Sequence, residues 1–186
     1  MGSEGKPLMT FLHYLALGYL AAALLAGGIY HAARLTSFSD TVQSHRIIPA
    51  SIAMPAAILV TIFELAAGGA ALFILFSQDV AARAALLFSS CTVIGVVFAL
   101  YVRRLLRNPQ GSTSCGCSAF AGPLTIASIV PALALALVSG LGLATAGPGF
   151  KTILNPNFSV ALPLLWGITL ALIVNLIPAS MPRPAF

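Results

Sequence analysis

From Ile52 to Phe76 the sequence carries a single charged side chain, Glu64. A helix needs roughly 20 mostly apolar residues to cross a hydrocarbon core about 30 Å thick, and this run is longer than that. Four more apolar runs accompany it: Met9–Ala33, Ala82–Tyr101, Leu124–Ala146 and Phe158–Ile177. Breakers separate them: "SQD" from Ser77, "NPQGS" from Asn108, "GPG" from Gly147 and "NPN" from Asn155. Spans of this length predict helices, because barrel strands would appear as short alternating segments. The chain is 59% hydrophobic and 7% charged, whereas a soluble domain carries about 25% charged residues. So few charges cannot coat a globule in water. The expected fold is an all-α integral membrane protein, a bundle of about five transmembrane helices forming one domain over residues 1–186. The first run is longer than the apolar core of a signal peptide, and no clear A-x-A site follows it, so it is expected to stay as a span.

Small residues mark where such helices can approach each other, since lipid removes the hydrophobic drive between them. The second run offers Ala66 to Ala71 in "ELAAGGAALF", the first Gly18 and Ala22, and the fourth Gly140. Pro131, inside the fourth run, is expected to kink it.

The net charge is +5, but the basic residues flank spans, where they set topology. Nucleic acid is therefore excluded as the reason for them. With five spans, one face holds Lys6, Arg83 and Lys151, and the other Arg34, Arg46, Arg103, Arg104, Arg107 and Arg183. The second face is expected to be cytoplasmic. That places the N-terminus outside, and the loop at residues 108–123 inside, of a bacterial inner membrane.

That loop, "NPQGSTSCGCSAFAGP", carries Cys115 and Cys117. Cysteines at i and i+2 close a small ring with strain, and Gly116 widens the backbone angles open to it. Strained, exposed disulfides are the labile ones, and the upstream "RRLLRNP" favours the thiolate. The pair suits thiol–disulfide exchange. Two other readings stay open, an inert bridge and soft-metal capture by the two thiolates. A structural bridge has little purpose here, since so small a loop removes little unfolded-state entropy. Cys91, mid-span in "FSSCTVIG", reads as a small buried apolar residue.

An acid at the depth of Glu64 must be protonated, paired or turned to a polar cavity. Tyr14, Tyr19, Tyr30, His31, Ser89, Ser90 and Thr92 are its candidate partners. It could carry protons or touch a quinone, or simply fix packing through an interhelical hydrogen bond. His31, His45 and Arg46 sit at span ends, where such residues usually anchor helices at the interface.

The order of these features resembles the MauE family of methylamine utilisation membrane proteins, within the wider DoxX-like group. The likeness rests on "YHAARLTSFSDTVQSHRIIPASIAMP", then "FELAAGGAALF", then "YVRRLLRNPQGSTSCGC", from about Phe11 to about Leu143. In that family a Phe-Gly commonly follows the second cysteine; here "CGCSAFAG" displaces Phe120 and Gly122. The resemblance implies a four-helix redox-associated core, to which the fifth run adds a C-terminal helix. It also implies a thioredoxin-like partner and a part in maturing a disulfide-rich subunit of methylamine dehydrogenase. Cys115 and Cys117 would be the exchanging pair and Glu64 the intramembrane acid. Two alternatives remain, a non-catalytic accessory subunit of a larger respiratory or photosynthetic membrane complex, and a soft-metal transporter.

Overall fold

The computed structural model describes residues 5–76, 81–107, 114–115, 122–123, 126–145 and 158–180. The chain is helical almost throughout. Helix α1 is Gly5–Ala33, α2 Leu35–Ser44, α3 Ala50–Phe76 and α4 Ala81–Leu106. Two-residue strands β1 (Ser114–Cys115) and β2 (Gly122–Pro123) precede a 3₁₀ turn, Ile126–Ile129, then α5 (Val130–Thr145) and α6 (Phe158–Ser180). Four stretches are long and apolar enough to cross a membrane: Leu8–Ala33, Ala50–Phe76, Arg83–Leu106 and Ile126–Thr145. Helix α6 contributes a shorter apolar segment, Ala161–Asn175. The surface agrees with a lipid solvent. Leu59, Phe73, Leu86, Val97, Leu137 and Trp166 are all exposed, an outer face that water would not tolerate over so wide an area. This is an all-α, multi-pass membrane protein.

Helix α1 is the hub. It packs along both α3 and α6 and also touches α5, while α4 packs on α5. Tyr14, Leu17, Leu20 and Leu24 of α1 enter one buried cluster with Ala71 and Ile74 of α3, Phe88 and Cys91 of α4, Leu135 of α5 and Ala171 of α6. Small residues set the spacing. A Cβ at Gly68 would stand 2.7 Å from Leu25, and one at Gly28 2.9 Å from Leu65, so α1 and α3 run antiparallel in near contact. A Cβ at Gly18 would lie 2.9 Å from the Leu164 carbonyl oxygen of α6.

Several expectations need correction. Gly140 has open space around it; α4 and α5 instead meet at Gly95, where a Cβ would lie 2.6 Å from the Ala136 nitrogen, and at Gly142 against Phe88. Pro131 is the second residue of α5, after the 3₁₀ turn. In a first turn its missing N–H costs no helical bond, so it starts a helix rather than kinking one. The third span continues past Tyr101 to Leu106, which puts Arg103 and Arg104 in its last turn. Cations there complement the exposed carbonyl end of the helix. Helix α2 was not foreseen. Its sequence, "LTSFSDTVQS", is too polar to span, yet Leu35, Phe38, Ser39 and Val42 fall on one side and it packs against α3. After it the chain turns through Arg46, at φ 53°, and His45 Nδ1 is hydrogen-bonded to the Tyr101 hydroxyl of α4 at 2.7 Å.

Candidate functional site

Near the middle of α3, Glu64 is 7% exposed and turns toward α1. Of the partners considered, His31 meets it: Nδ1 lies 2.7 Å from Glu64 Oε2, with the two side chains 3% and 10% exposed. That distance is in the range of charge-assisted N–H···O bonds. His31 is thus no interfacial anchor. It lies in the last turn of α1, but α2 covers it, and the Phe38 ring stacks on the imidazole at 4.0 Å between centroids and 7° between planes. Tyr30 instead hydrogen-bonds Arg34, which also sits over its ring. Ser89, Ser90 and Thr92 donate to carbonyl oxygens of their own helix.

The approach of Glu64 to α1 depends on the absence of side chains opposite. A Cβ at Gly27 would stand 3.2 Å from Glu64 Oε1, and one at Gly28 3.1 Å from Glu64 Cβ. Beside the carboxylate lies a partly open cavity of about 50 Å³. Five helices border it: α1 with Tyr19 and Gly27, α3 with Glu64, α4 with Phe98, α5 with Pro131 and Leu135, and α6 with Asn175. Asn175 escaped the sequence reading. Its signal was an amide within "LIVNLIP", an otherwise apolar stretch; the Nδ2 group donates to the Ala171 carbonyl oxygen at 2.8 Å.

Cys115 pairs its backbone with Gly122, and Ser114 with Pro123, in an antiparallel bridge that brackets residues 116–121. Strand β2 packs against α6. Cys117 lies outside the described residues. Cys91 is a free, fully buried thiol in the main core cluster, as a small apolar residue would be. Among the described residues no group of three or more His, Cys, Asp or Glu side chains could hold a metal ion.

No curated protein and no solved structure matches the chain. The family of the methylamine utilisation protein MauE does, over residues 9–146. The matched stretch takes in His31, Glu64, most of α1, all of α2 to α5 and both loop cysteines, well over half of the sequence; the chain belongs to the MauE family, membrane proteins of methylamine utilisation.

Proposed function

We propose that this membrane protein performs thiol–disulfide exchange through Cys115 and Cys117 with a thioredoxin-like partner, in forming or maturing protein disulfides. The observation that supports this most is the bridge between Cys115 and Gly122. It pairs the backbone of one cysteine of the two, eight residues beyond Arg107 in "RNPQGSTSC". In the exchange, a thiolate of the partner's dithiol attacks one sulfur of the Cys115–Cys117 disulfide, and the partner's second thiol then displaces the mixed disulfide. The partner leaves with the disulfide, and the loop pair keeps the two electrons and two protons as a dithiol. A lipid-soluble quinone is the proposed final electron acceptor, reoxidising that dithiol and leaving as the quinol, and Glu64 the intramembrane acid serving the same chemistry. The basic residues support an inner-membrane topology with this loop on the cytoplasmic side.

Mass-shift alkylation across a thiol redox series tests the reading. Cys115 and Cys117 should oxidise and reduce together, at a potential less reducing than the roughly −300 mV typical of structural bridges. A pair that stays reduced at every oxidising poise, or oxidised until the protein unfolds, would rule it out.

A further inference from the structure

The cavity beside Glu64 permits a sharper statement about what that acid handles, one that deepens the proposed thiol chemistry and rests on it for the use made of the proton. Glu64 Oε2 is taken by His31. Among the described residues Oε1 has no hydrogen-bond partner, and neither has the hydroxyl of Tyr19, a side chain that is 1% exposed. Both residues border the cavity, as does the Asn175 amide. Water enters a buried space when it finds two to four polar partners and roughly 10–15 Å³ for each molecule's centre. The pocket is partly open, and its deep part, at about 50 Å³, has both the room and the polar partners. A dry apolar cavity that admits a benzene-sized ring measures about 150 Å³, three times as much.

We propose that this cavity is a hydrated protonation site: its ligands are water and the proton, with Glu64 as the exchanging group and His31 as the positioning residue that holds its other oxygen. A quinone ring does not enter it. Any quinone that takes electrons from the loop cysteines docks elsewhere on the bundle, and Glu64 contributes a proton through water rather than by contact. The titratable groups facing the site are His31 and Tyr19 from α1 and Glu64 itself; α4 presents Phe98, α5 Pro131 and α6 the neutral Asn175. Gly27 sets the size, because any side chain there would advance on Oε1.

Two measurements on the full chain in lipid nanodiscs test this. The first is infrared difference spectroscopy on transfer from light to heavy water. With the sample acidified until Glu64 carries its proton, the carboxyl C=O band lost in Glu64→Gln should shift with isotope within the mixing time, and Gly27→Ala should slow that shift. The second uses an azidoquinone photoprobe, which should leave Tyr19, Gly27 and Phe98 unlabelled. A Glu64 band that does not exchange over hours shows a dry cavity and overturns the proposal, as does probe attachment to those three residues. Neither readout involves the thiols. The protein with Cys115→Ser and Cys117→Ser should give the same spectra, so failure of the exchange reading and failure of this one are distinguishable.

Discussion

Replacing His31 and Glu64 together by apolar residues of similar shape should cost far less than replacing either alone. In His31→Phe the ring can keep its stack on Phe38, but Glu64 loses the donor at 2.7 Å. A stranded buried charge costs about 3–5 kcal/mol. Water in the adjacent cavity should soften that, so a loss of about 2–3 kcal/mol is expected. In Glu64→Leu the imidazole Nδ1 loses its acceptor under the cover of Phe38, for about 1–3 kcal/mol. The double variant leaves neither group stranded and should lie within about 1 kcal/mol of the wild type. The coupling energy, the two single losses less the double, is then about 2–6 kcal/mol, well above the mean of about 0.6 kcal/mol for interhelical hydrogen bonds in membrane proteins. Reversible unfolding in mixed micelles, followed by circular dichroism for all four proteins, measures it. A coupling at or below that mean would refute the charge-assisted pair and reduce the contact to ordinary packing.

Two further outcomes follow from the packing and the charge distribution. Gly95→Ala should destabilise the bundle by about 1–3 kcal/mol, because its Cβ would meet backbone atoms of Ala136 and Ala132, whereas Gly69→Ala and Gly140→Ala, whose Cβ would meet nothing within 4 Å, should be no less stable than the wild type in the same assay. Impermeant thiol reagents added to intact cells, with Cys91 replaced, should leave Cys115 unlabelled until the membrane is opened; ready labelling from outside would reverse the topology.

The spans were legible because a bilayer demands length and apolarity and little else. Each expected run, from Met9–Ala33 to Phe158–Ile177, contains most of a helix. Where the reading failed, it failed on features that hydropathy does not encode. Helix α2 is polar and short, and its existence depends on packing against α3 and on Phe38 stacking over His31 of α1. The helix ending at Leu106 extends beyond its apolar core because arginines are good helix formers and suit a C-terminus. Gly140 and Gly95 look alike in sequence; which one meets a neighbour is decided by how α4 rotates against α5. Composition alone reports that small residues allow contact, not which of them make it.

The site was half legible for a related reason. An acid at the depth of Glu64 announces itself, but seven polar residues could have answered it, and the choice of His31 is geometric. Gly27 and His31 are four residues apart, so they stand one above the other on the same face of α1. That face is turned to Glu64. At Gly27 the α1 backbone comes close enough that a Cβ would reach Oε1, and one turn later the imidazole caps Oε2. Neither arrangement works without the other. A Cβ at position 27 would oblige the Glu64 carboxylate to give by a few tenths of an ångström, and without His31 the close approach would press an unpaired carboxylate against a helix. Gly28, which admits Leu65 and the Glu64 Cβ, extends the same constraint by one residue. The "GGIYH" that ends the first apolar run is therefore one device: two glycines to admit the acid and a histidine to hold it, with the third side, toward Tyr19 and Asn175, left open to a cavity.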